Sequence, residues 1–156
     1  LNNIMIPTKL INTSSIQKAI EAFITFQKSK KGDVRSLSLE IKDNLTYLNM
    51  VTTGDMNIEG LMKKLSMVEY QRLSKEGFDY NLLKKSKIEN YQFLKGTSLS
   101  SWKGKKTEIL VVSIYDKISE LNKIFTHAPH SNNYRLSVRI INIQRRILLL
   151  LEHIRN

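Results

Sequence analysis

Apolar residues recur along this chain at spacings of three and four, the period at which side chains line one face of an α-helix. Ile16, Ala19, Ile20, Phe23 and Ile24 form the first such stripe, and Thr13, Ser14 and Ser15 ahead of it are residue types that cap helix N-termini. Val34, Leu37, Ile41, Leu45, Leu48 and Val51 either continue that stripe through Gly32 or begin a new one at Asp33. A glycine inside a helix costs only about 1 kcal/mol relative to alanine, so one long N-terminal helix is the expectation. After the turn signal Thr53, Gly54 and Asp55, the positions Ile58, Leu61, Met62, Leu65, Val68 and Leu73 predict a further helix that ends near Gly77. A shorter helix is expected from about Asn81 to Leu94, with Leu82, Leu83 and Tyr91 as its apolar residues.

Gly96 to Gly104 holds Thr97, three serines and Trp102, a composition that favours a loop. Beyond it Leu110, Ile114, Ile118, Leu121 and Phe125 restore the helical stripe. Ile109, Val111 and Val112 would also suit a short strand, but the length of the pattern favours a helix. A turn around Pro129, Asn132 and Asn133 leads into a last helix, dense in Ile140, Ile143, Ile147, Leu150, Leu151 and Ile154. The fold class that follows is all-α: a single-domain bundle of four to five helices over residues 13–156, with residues 1–12 as an N-terminal extension.

Composition narrows this picture without changing it. At 156 residues, 41% hydrophobic and 25% charged, the chain has the balance of one globular domain. It contains no Cys, so disulfides and thiolate metal sites are excluded. The longest wholly apolar run, Ile147 to Leu151, is far short of the roughly 20 residues a spanning helix needs, and the start of the chain has no charged region followed by an apolar one. The cytoplasm, with no membrane partner, is the resulting expectation.

Charge is the feature that bears on function. The net charge of +11 creates a field that favours anionic partners. Much of it lies between Lys84 and Lys106, where Lys84, Lys85, Lys87, Lys95, Lys103, Lys105 and Lys106 are opposed only by Glu89, a local charge of +6. Tyr91, Phe93 and Trp102 lie among them. A basic groove with aromatic stacking surfaces is one way to hold single-stranded nucleic acid; Trp102 as a plug that anchors the loop to the bundle is the expectation favoured here.

The last helix carries a second cationic pattern. At about 100° per residue, Arg135, Arg139, Asn142, Arg146 and His153 fall on one flank. Arginine's planar fork of donors suits phosphate or carboxylate, although such a flank is also an ordinary solvated helix edge. Arg146 and His153, separated by six residues, resemble the Arg, four to six residues, His pattern of the HEPN ribonucleases, which are small and all-α. That resemblance implies a metal-independent ribonuclease, usually dimeric, in which Arg146 would bind phosphate and His153 would handle a proton. It covers the last helix only, and Ile147 stands where a polar residue commonly follows the Arg.

Other chemistry is thin. Gly104, Lys105, Lys106 and Thr107 look superficially like a phosphate-binding loop, but Leu99 stands where its first glycine belongs. His127 and His130 lack the third ligand of a catalytic zinc site. Glu40 with Asp43, and Asp116 with Glu120, stand at helical spacing and are expected to be solvated or paired with lysines. Three readings follow. The first is a non-enzymatic module that binds an acidic partner, nucleic acid or protein, through Arg135, Arg139, Arg146, Lys84, Lys85, Lys87, Lys103, Lys105, Lys106 and Trp102, with no cofactor and no metal. The ribonuclease built on Arg146 and His153 is the second. A structural subunit of a homo-oligomer or larger complex is the third.

Overall fold

The computed structural model describes residues 13–91, 97–127 and 133–156, and of these the side chains of residues 13, 14, 98, 133 and 134 are left aside. The N-terminal extension, Phe93, Lys95 and the turn bearing Pro129 and His130 lie outside the described residues. In chain order the elements are α1 (Thr13–Lys28), α2 (Gly32–Thr52), α3 (Ile58–Lys64), α4 (Val68–Lys75), a 3-10 turn at Tyr80–Leu82, another at Ser98–Trp102, α5 (Thr107–His127) and α6 (Asn133–Arg155). No strand occurs among the described residues, and no helix is long and apolar enough to cross a membrane.

The expected stripes are the core. Ile16, Ala19, Ile20 and Phe23 of α1 meet Leu37, Ile41, Leu45 and Leu48 of α2, and both helices pack on α6. Leu110, Ile114, Ile118 and Leu121 of α5 face Ile140, Ile143, Ile147 and Leu150 of α6. Because α6 touches α1, α2 and α5, its buried residues extend well round its circumference and include Ser137, Gln144 and His153.

Three expected helices take a different form. The long N-terminal helix is instead a helical hairpin, α1 packed against α2. Gly32, the first residue of α2, stands at φ +60°, a left-handed conformation that a continuous right-handed helix does not contain and that other residues adopt only at a cost. The stripe from Ile58 to Leu73 is likewise broken, at Leu65–Met67, by side chains of α2. Asn44 accepts from the Ser66 amide at 2.9 Å and donates to the Ser66 carbonyl at 2.8 Å, which holds that residue out of helical pairing.

Glu40 then caps the helix that restarts. Its carboxylate accepts from the Ser66 hydroxyl at 2.9 Å, the amides of Glu69 at 2.8 Å and Tyr70 at 3.1 Å, and the Tyr115 hydroxyl at 2.8 Å. α4 has no side-chain cap of its own, so a buried anion from α2 supplies acceptors to its first amides and a charge suited to the helix dipole. Burial, with the Glu40 charge beside it, pushes the Tyr115 phenol well above its usual range and keeps it a donor. The Tyr70 ring covers this junction, stacked on Tyr115 at 4.1 Å and 7° between planes. Glu40 is therefore not the solvated carboxylate its spacing suggests, whereas Asp43 does pair with Lys42.

The third difference lies at Asn81 to Leu94. Beyond the 3-10 turn, residues 83–91 are not helical but run as a strap across the bundle. The residues it buries, Leu83 and Ile88, are five apart and cannot share one helix face, while Leu82 points out to solvent.

Candidate functional site

The strap is fastened at four points. The Glu108 amide, at the start of α5, donates to Asn81 Oδ1 at 3.0 Å, and the Thr107 hydroxyl donates to the Lys84 carbonyl at 2.6 Å. Ile88 then pairs with the segment that follows Trp102: its amide donates to the Lys105 carbonyl at 2.9 Å and its carbonyl accepts from the Gly104 amide at 2.7 Å. At the far end, Tyr91 reaches His153 of α6, hydroxyl to Nδ1, at 3.1 Å.

These links bring the lysines at 84–87 alongside those at 103–106. Lys85, Lys87, Lys103 and Lys106 are exposed, with Lys84 and Lys105 half-buried. None of the six forms an ion pair with a described residue. The acids beside these segments include Asp79, which caps the 3-10 turn, Glu89 on the strap and Glu108 in the first turn of α5, all exposed. The two ends of the basic stretch from Lys84 to Lys106 thus lie side by side, held together by backbone hydrogen bonds.

Trp102 lies beneath it, 7% exposed. The Lys105 ammonium sits 4.5 Å from the ring centroid and the Arg146 guanidinium 6.0 Å from it, the geometry of cation–π contacts. The indole anchors the loop and holds two cations in place. It does not offer a base a stacking platform, and the half-buried Tyr91 is engaged with His153.

The cationic flank of α6 faces α5. Successive pairs cross the seam: Arg139 Nη1 to Glu120 at 3.4 Å, Arg146 Nε to the Ser113 hydroxyl at 3.1 Å, and His153 Nε2 to Thr107 Oγ1 at 2.8 Å. Residues 139, 146 and 153 are seven apart on α6, so the flank is a row of polar rungs in antiparallel register, as in a heptad-patterned helix pair. Arg135 remains exposed. Arg146 also donates to the Asn142 carbonyl at 3.1 Å, and burial lowers its pKa, with Glu120 opposing and Arg145 adding to the effect.

His153 is fully buried. The Thr107 hydroxyl proton is committed to the Lys84 carbonyl, so Thr107 accepts from His153 Nε2–H, and Nδ1 accepts from Tyr91. This assigns the neutral Nε2–H tautomer from the network. Burial pushes the imidazole below its ordinary pKa, helped by the Lys84 charge and opposed by the Ser86 backbone and Glu89. With both nitrogens occupied and no exposed surface, the ring is not presented to a phosphodiester. The solvent-facing Arg and His pair that a nuclease needs is absent from this geometry, since both side chains are engaged inside the seam and strap.

The chain matches no protein-family model, no curated protein and no solved structure. The resemblance to HEPN ribonucleases therefore stands on the spacing of Arg146 and His153 alone. An open cleft lined by Leu39, Glu40, Asp43, Tyr47 and Val68 has its buried carboxylate occupied in capping α4 and in the bond from Tyr115.

Proposed function

We propose that this protein is a non-enzymatic helical module that binds an acidic macromolecule through the lysines of the strap face. The observation that carries the reading is the collection of Lys84, Lys85, Lys87, Lys103, Lys105 and Lys106 on one backbone-tied surface with no ion pair to a described residue. Like charges held together by the fold repel one another, and an anionic partner relieves that repulsion while releasing its own counterions. The exposed cations here are lysines, compact point charges without arginine's bidentate fork, so the binding is electrostatic and insensitive to sequence. Trp102, buried under its two cations, contributes rigidity and not stacking.

Equilibrium binding at low and moderate salt tests this. The natural protein is expected to bind mixed-sequence duplex and polyglutamate with an affinity that falls steeply as salt rises. The variant K85E/K87E/K103E/K106E alters exposed side chains only; it should keep the helical signal and weaken both interactions by at least tenfold. Absence of binding at low salt, or equal binding by the variant, would sink the reading.

A further inference from the structure

Leu82 and Ile109, 49% and 46% exposed, are two of the four large apolar side chains left exposed among the described residues. Both stand at the junction where the strap meets α5. Leu82 immediately follows Asn81 and Ile109 immediately follows Glu108, the two residues joined by the 3.0 Å amide-to-Oδ1 bond. Lysines border the pair on each side: Lys84 and Lys85 follow Leu82, and Lys106, whose carbonyl accepts from the Ile109 amide at 3.1 Å, precedes Ile109. The core does not need either side chain, because Leu83 and Leu110 fill the buried positions next to them.

A sugar-phosphate backbone would use the lysines and leave the two aliphatic groups idle. A partner that carries carboxylates and aliphatic side chains on one face would use both, burying apolar area at the centre and pairing charges at the rim. Each side chain is about half exposed, not a projecting wedge of the kind that enters a bilayer or parts base pairs. Among the described residues two carboxylates stand at this junction: Glu108 lies in the first turn of α5, where the helix dipole offsets its charge, and Asp79 is engaged in capping the 3-10 turn, its Oδ1 accepting from the Asn81 amide at 2.9 Å.

We infer that the partner of the lysine face is an acidic protein segment whose aliphatic residues seat on Leu82 and Ile109 between Lys85 and Lys106. This inference rests on the lysine-face reading above and gives it a partner class. An amphipathic helix with aliphatic residues at a spacing of three and four, flanked by Asp and Glu, has the matching form.

The test uses the full chain and two synthetic helical peptides of equal negative charge, one with leucines on a single face and the other with serines in their place. Calorimetric titration should show the leucine peptide binding about tenfold tighter than the serine peptide. The variant L82S/I109S should remove that difference while leaving the serine peptide and a nucleic-acid duplex unaffected, and K85E/K106E should weaken both peptides. All four positions except Ile109 lie outside regular α-helices, and unchanged thermal midpoints would establish that the variants fold. Equal affinity for the two peptides overturns the inference while duplex binding keeps the lysine-face reading alive. So does a leucine preference that survives L82S/I109S, or a loss in that variant confined to anionic phosphatidylserine vesicles. If no anion binds at low salt, both readings fall together.

Discussion

Glu40 and His153 hold the two irregular parts of this bundle, and they do it in opposite ways. Each is a buried polar side chain on a long helix, reaching across to a segment whose backbone is not regularly paired. Glu40 is a carboxylate that takes four donors, from Ser66, Glu69, Tyr70 and Tyr115, and fastens the break before α4. His153 is a neutral ring in a directional chain: Tyr91 donates to it, it donates to Thr107, and Thr107 donates to the Lys84 carbonyl. The anion can collect donors from any direction, whereas the histidine network works in one tautomer and protonation state. An anionic hub with four donors makes a junction that mutation breaks severely; a neutral histidine whose pKa folding lowers makes one that a fall in pH can loosen.

The largest effect is therefore expected at Glu40. Glu40→Ala removes the acceptor for four donors, the Tyr115 hydroxyl buried and those of Ser66, Glu69 and Tyr70 half-buried, and stranding them in this way costs about 3–5 kcal/mol. Set against a typical domain stability of roughly 5–15 kcal/mol, that leaves a marginal protein. Urea unfolding checks it, with Glu40→Gln, which keeps the shape and loses only part of the acceptor capacity, expected to cost distinctly less. Equal and small losses for the two variants would mean that the donors find water, and that the junction does not depend on the anion.

The histidine hub should yield less. His153→Ala leaves a cavity beneath the strap, unpairs the Tyr91 hydroxyl and removes the donor to Thr107, which keeps its bond to the Lys84 carbonyl, a loss of about 2–4 kcal/mol. Thr107→Val keeps the side-chain volume, cuts the chain of donors in the middle, and should cost about 1–2 kcal/mol. Hydrogen exchange separates these local effects from global ones. The amides of Ile88 and Gly104, which pair the strap with the segment after Trp102, should lose protection in both variants, while those of Glu69 and Tyr70 keep it relative to the global unfolding rate.

The contrast between the hubs also explains what the sequence could reveal. The stripes of α1, α2, α5 and α6 were legible because a periodic apolar face is a local property, and Trp102 as the anchor of its loop was legible for the same reason. Glu40 and Asn44 carried a faint signal: they stand within the apolar stripe of α2, beside Leu37, Ile41 and Leu45, where a solvated residue would be out of place. Their partners could not be read, since the breaks at Leu65–Met67 and after Leu82 are imposed by tertiary hydrogen bonds that override helical propensity. His153 looked like the end of a solvent-exposed flank because the strap that buries it comes from a distant part of the chain. The basic surface was half legible, as one charged stretch of chain from Lys84 to Lys106, whereas the side-by-side placement of its ends depends on Ile88 pairing with Gly104 and Lys105.

The smallest effect, and the one that best separates the hubs, is that of pH on the strap. Burial and the Lys84 charge depress the folded-state pKa of His153, so the unfolded chain takes up a proton at this residue more readily than the folded protein does. Between the unfolded value, about 6.5, and the lower folded one, the unfolded state binds more protons, and stability must fall as pH falls through that window. Thr107 and the Ser86 backbone can still accept hydrogen bonds from the charged ring, so Tyr91, Lys84 and Glu89 decide how the loss is felt. Protonated Nδ1 can no longer accept from Tyr91, Lys84 repels the new charge, and Glu89 is the carboxylate placed to oppose it. Urea midpoints measured at pH 7.5 and 5.5 should therefore differ more for the natural protein than for His153→Gln, whose side chain does not titrate. Exchange at Ile88 and Gly104 should quicken at the lower pH ahead of exchange at Glu69 and Tyr70, once intrinsic rates are corrected. Identical pH slopes for the two proteins would show that His153 keeps its proton balance on unfolding, and the reading of His153 as a neutral hub that pH loosens would fail.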